Sequence, residues 1–147
     1  MNKMSPRVRF YRWLALSCHI LLTLWMCIWY LGLDIAQQYS TTFKLLVYIL
    51  PLLLPLPGIV SAKPYTHAWA CFVVLLYFLH GITVIYAEPQ FIWHGIIELF
   101  LALGMFVGCS VFARLRGQEL GTGLKKLSAV MKEEKELFDK QSTSKEN

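Results

Sequence analysis

Four ionisable side chains, His19, His80, His94 and Glu98, lie in or at the edges of long apolar runs. Such groups are costly in hydrocarbon and usually face a bundle interior or a wet cavity, so each is a candidate site. His80 falls seven residues before Ala87, where the third apolar run ends, and Glu98 falls seven residues after Phe91, where the fourth begins. At the helical rise, both sit about 10 Å below the same membrane surface. The turn between the two runs is only Glu88-Pro89-Gln90, so the helices must be antiparallel neighbours and the pair can meet. His94 is four residues before Glu98 and shares its face, and Tyr77 is three before His80 on its face.

Two uses of such a pair are open. One is a buried polar clasp that fixes helix register, worth about 1 kcal/mol per interhelical hydrogen bond. The other is a proton relay or ligand-binding pair, the usual meaning of intramembrane histidine and carboxylate. No metal, haem or other cofactor is expected. His19 lies near the opposite membrane face, too far to join, and only His80 and His94 approach a common depth. The four cysteines (Cys18, Cys27, Cys71 and Cys109) all lie inside apolar runs without a CxxC pair, and read as small buried hydrophobes. A nucleophile elbow, phosphate loop, HExxH motif and dinucleotide fingerprint are all missing, so nothing in the residues supports an enzyme.

The elements that must position these side chains are membrane helices. The chain has 147 residues, 56% of them hydrophobic, and a mean hydropathy of +0.50. That exceeds soluble usage of roughly 45–50% apolar, and the excess is concentrated in long runs. The expected fold is therefore all-α, an integral membrane protein with four transmembrane helices at about 13–33, 45–60, 68–87 and 91–113. A basic leader (1–12) precedes them, and a charged tail (114–147) follows. The first run is longer than a signal peptide's apolar region of roughly 7–15 residues, which favours an uncleaved anchor. Trp25, Trp29 and Tyr30 crowd its outer part, where an interfacial aromatic belt is expected.

Pro51, Pro55 and Pro57 punctuate the second run, and each removes an amide donor, so a kinked or partly unwound span is expected. Its freed carbonyls need partners, so it is expected inside the bundle, with the stretch 51–81 as the hairpin on which the other runs pack. Gly104 and Gly108 in the fourth run are four apart, the small-residue spacing that serves helix packing or dimerisation. Leu120, Leu124, Leu127, Met131 and Phe138 recur at helical spacing, so an amphipathic helix at about 118–140 is expected on the inner leaflet.

The net charge of +5 does not point to nucleic acid, because the basic residues flank the apolar runs. Lys3, Arg7, Arg9, Arg12, Lys63, Arg114 and Arg116 fall on one side, and only Lys44 on the other. Positive residues stay on the cytoplasmic side, so both termini are expected in the cytoplasm.

The stretches PLLLPLPG (51–58), KPYTHAWACFVVLLYFLHG (63–81) and ELFLALGMFVGCSVFARLRG (98–117) resemble a family of small proteobacterial inner-membrane proteins, domain of unknown function 2069. The resemblance covers about 13–119 and implies a four-span membrane protein with no assigned activity and no catalytic residues to transfer. Two functions follow as expectations. The first is a non-enzymatic accessory or scaffold protein, contacting the lipid bilayer and a membrane-protein partner or a second copy of itself. The second is a small transporter or ligand-binding protein centred on His80 and Glu98.

Overall fold

In a computed structural model, residues 4–33, 39–121, 131, 135 and 136 are described. Most of the expected amphipathic helix at 118–140 lies outside the described residues.

Four helical rods are long and apolar enough to cross a membrane: α1 (Pro6–Gly32), α2 (Thr41–Val60), α3 (Pro64–Ala87) and α4 (Pro89–Glu119). Their starts follow local chemistry. The Ser5 hydroxyl accepts from the Val8 amide at the head of α1, and the Ser40 hydroxyl accepts from the Phe43 amide at the head of α2. Proline opens α1, α3 and α4, where its missing N–H and fixed φ suit a first turn. The rods run past the apolar stretches at several ends. α1 begins at Pro6, inside the stretch read as a leader, and α3 begins at Pro64, four residues before the span expected at about 68–87.

Each of α1 and α3 packs on α4 along much of its length, and α2 lies more lightly against α1 and α3. The neighbours thus form a ring, α1–α4–α3–α2. The expectation that the 51–81 hairpin is the platform is corrected here: α4 is the helix on which two others pack most closely. Glycine explains why. A Cβ on Gly108 would lie 2.7 Å from the Ala15 amide nitrogen, and one on Gly104 would lie 2.6 Å from Sγ of Cys18. The small-residue stripe of α4 therefore faces α1 of the same chain, at backbone-contact distance. A Cβ on Gly95 would lie 2.8 Å from the Gly81 carbonyl oxygen, so α3 and α4 also cross glycine on glycine.

The three prolines of α2 break it into pieces rather than one regular helix. A π-helical turn at Leu45–Ile49 leads into short α-helices at Leu50–Leu53 and Leu56–Val60, with Leu54 and Pro55 as a turn between them. The wide turn comes directly before Leu50 and Pro51, the first place where an amide is missing. α2 is not enclosed by its neighbours, as its expected need for partners suggested. Leu46, Val47, Leu53 and Leu54 are exposed, and Lys44, Ile49, Leu52, Pro55 and Ile59 are buried. Polar partners reach the rod from outside instead. The Arg12 guanidinium donates to the Val60 carbonyl at 3.0 Å, and the Tyr77 hydroxyl donates to the Tyr48 carbonyl at 2.8 Å.

At one end of the bundle, the Ser5 amide donates to Glu119 at 3.1 Å, and Glu119 also pairs with Arg116 at 2.8 Å. This ties the start of α1 to the end of α4 and places a carboxylate at a helix N-terminus. Together with the Arg12–Val60 contact it defines a basic end; the Glu88 turn lies at the opposite, far end. Between them the core is filled by Ala15, Leu22, Met26, Leu52, Val74 and Met105, among others.

Candidate functional site

The polar residues of the bundle gather near its far end. The close approach of Gly81 and Gly95 brings the two backbones together, and the side chains next to them in register meet. His80 directly precedes Gly81, and Glu98 lies one turn beyond Gly95. Nδ1 of His80 stands 2.8 Å from Oε1 and 2.9 Å from Oε2 of Glu98. Glu98 is completely buried and His80 partly exposed.

A third partner comes from α1. The Tyr30 hydroxyl lies 2.7 Å from Nε2 of His80. With Glu98 as an acceptor, the network assigns the tautomer: Nδ1–H donates to the carboxylate, and Nε2 accepts from the phenol. The ring of Tyr30 stacks on Tyr48 of α2 with centroids 4.1 Å apart and planes 2° from parallel. All four helices therefore contribute to one cluster.

His94 of α4 completes it. Its Nε2 is 3.5 Å from Oε2 of Glu98, an ion-pair distance too long for a good hydrogen bond. Neither ring nitrogen of His94 has a hydrogen-bond partner among the described residues. Its ring lies parallel to Trp29, centroids 3.9 Å apart, and also faces Trp25 at 5.6 Å. Above His80 is a cleft of 460 Å³, lined by Trp29, Tyr30, Tyr48, Thr83 and Glu88 among others. A more apolar groove of 310 Å³ reaches His80 from the side, between Val47 and Tyr48 of α2 and Leu76 and Leu79 of α3.

The remaining residues of interest go elsewhere. Tyr77 is buried, but its hydroxyl is committed to the Tyr48 carbonyl rather than to the His80–Glu98 pair. His19 lies deeper in the core, with Nδ1 3.3 Å from Sδ of Met105. His67 sits near the basic end, bonded through Nδ1 to the Lys63 carbonyl at 2.8 Å and packed on Phe112. Gly104 and Gly108 belong to the α1–α4 contact, and Pro51, Pro55 and Pro57 to the broken course of α2.

Trp25, Trp29 and Tyr30, expected as an interfacial belt at the outer part of α1, pack against the polar cluster. Tyr30 is buried and bonded to His80, and the two indoles cover His94. Tyr30 continues the buried stripe of Ala15, His19, Leu22 and Met26, but spacing did not mark it, because the lipid-facing side of α1 is equally apolar. For Gly81 and Gly95 the clue was position, since each stands beside a histidine.

Chemically, the cluster can hold a proton along Tyr30, His80 and Glu98, or bind a small polar group entering from the cleft. No curated protein and no solved structure matches the chain. The family model described as predicted membrane protein, domain of unknown function 2069, matches residues 14–117. With that stretch covering most of its length and all four rods, the chain belongs to this family of membrane proteins.

Proposed function

We propose that this membrane protein serves as a non-enzymatic accessory or scaffold protein of a bacterial inner membrane, with both termini in the cytoplasm. The supporting observation is that the buried polar groups tie the helices to one another. Tyr30 of α1, His80 of α3 and Glu98 of α4 form one hydrogen-bonded chain, and Tyr48 of α2 stacks on its first member. A clasp that joins every helix at one depth fixes register and presents a constant lipid-facing and end surface to a partner. The orientation is supported by Arg7, Arg9, Arg12, Lys63, Arg114 and Arg116 falling toward the basic end. The charged tail then extends into the cytoplasm as the segment that contacts the partner.

The test is crosslinking and affinity purification from native membranes, with the full chain and with residues 118–147 deleted. The accessory reading expects specific co-purifying proteins that the deletion loses. An unchanged partner set and phenotype after the deletion would overturn the tail-mediated role.

A second reading, a transport or ligand-binding role, is favoured by the 460 Å³ cleft above His80. It expects His80→Ala and Glu98→Gln each to abolish function while expression and melting temperature persist. Normal function in both variants would exclude it.

A further inference from the structure

The geometry points to a divalent transition-metal site formed by His80, His94 and Glu98, with Tyr30 supporting it from behind. This goes beyond the accessory reading and does not depend on it, because a metal can tie helices together in a scaffold as well as serve a reaction. It also departs from the expectation of no metal, which had counted His19 as the third histidine and found it too deep.

The donor set is the first reason. One ring nitrogen from each histidine and one carboxylate oxygen all lie within 4.8 Å of one another. Tetrahedral ligands at zinc distances of about 2.0–2.2 Å are separated from each other by roughly 3.3–3.6 Å. Nδ1 of His80 is 2.9 Å from Oε2 of Glu98, somewhat short of that range, and Nε2 of His94 is 3.5 Å from it, within the range. Small side-chain rotations bring the three donors onto one ion.

The second reason is His94. It is buried to 2% exposure, its Nε2 is directed at Glu98, and neither nitrogen is hydrogen-bonded among the described residues. Buried polar groups are normally satisfied, and a metal bond would satisfy Nε2. Trp29 and Trp25 hold the ring flat in that direction.

The third reason is the outer support. A metal-bound imidazole usually donates its other N–H to an oxygen, which fixes its orientation. Tyr30 offers a phenol oxygen 2.7 Å from Nε2 of His80. On binding, the proton of His80 moves from Nδ1 to Nε2, Nδ1 takes the metal, and Tyr30 changes from donor to acceptor. The proton count of the ring is unchanged. The cleft provides access, and Glu88 on its lining is an acidic group that favours cation entry.

Two imidazoles and one carboxylate suit zinc, cobalt, nickel, copper or iron(II) rather than magnesium or calcium, which prefer all-oxygen sites. Of the three donors, His80 lines the cleft.

The test uses the full chain, purified in detergent, stripped with a chelator and titrated with cobalt(II) alone. One equivalent should bind with the visible absorption of a nitrogen- and oxygen-ligated ion, and zinc should displace it. His94→Gln and Glu98→Gln should each weaken binding at least about 100-fold. Tyr30→Phe should weaken it about tenfold, within the range for outer-shell partners. Zinc should raise the melting temperature of the wild type and leave that of His94→Gln unmoved, and circular dichroism of the metal-free variants shows whether they fold. Should His94→Gln fail to fold, His94→Ala with imidazole added back is the second variant, and restored cobalt absorption supports the site. Substoichiometric binding, undiminished binding in His94→Gln, or equal binding of magnesium would overturn the proposal. Those outcomes leave the accessory role untouched, since its test is the tail deletion.

Discussion

Tyr30 and His80, fifty positions apart in the chain, meet in a hydrogen bond of 2.7 Å between the phenol oxygen and Nε2. That contact makes the histidine a bridge. With one nitrogen held by α1 and the other by Glu98 of α4, His80 cannot turn without breaking both contacts. Hydrogen bonds of this kind polarise each other in a low-dielectric surrounding, so their loss should not be additive.

Tyr30→Phe removes one hydroxyl and keeps the ring stacked on Tyr48. We expect it to destabilise the bundle by about 1 kcal/mol, the scale of interhelical hydrogen bonds in membranes. Glu98→Gln should cost a similar amount. In the double variant the total should differ from the sum by at least about 0.5 kcal/mol, the signature of neighbours in one network. Unfolding in detergent measures all four corners of the cycle, and strict additivity would show that Tyr30 and Glu98 are not coupled through His80.

Gly108 tests the α1–α4 contact. A Cβ there would lie 2.7–3.0 Å from Ala15 backbone and side-chain atoms, and a backbone cannot move aside as a flexible side chain can. Gly108→Leu should therefore cost about 1–3 kcal/mol or prevent folding. Gly32→Ala is the matched control, because nothing lies within 4 Å of that Cβ position. Thermal melting should separate the two clearly, and equal melting points would place the close helix contact elsewhere.

Topology is checked with reporter fusions. A fusion at Pro89 should read periplasmic and one at Lys63 cytoplasmic, since the two turns lie at opposite ends of α3. The opposite pattern would reverse the orientation inferred from the basic residues.

Much of the architecture is written locally. Four apolar runs of spanning length, the charges between them and the short Glu88 turn determine the number of helices and make α3 and α4 antiparallel neighbours. The same arithmetic of helical rise puts His80 and Glu98 at one depth. Prolines mark where α2 cannot be regular, because a missing amide is a property of the residue itself.

What only the tertiary structure decided is which way each helix faces. Lipid is as apolar as a protein core, so hydrophobic periodicity along a membrane helix does not point inward as it does in water. Trp29 and Tyr30 could have faced lipid as well as His94 and His80. Their inward turn is set by shape and by the need to satisfy polar groups. The same holds for the glycines. Sequence shows where backbones could come close, but only the assembled bundle pairs Gly108 with Ala15 and Gly81 with Gly95. α4 became the central helix for that reason: its small residues admit a neighbour on two faces.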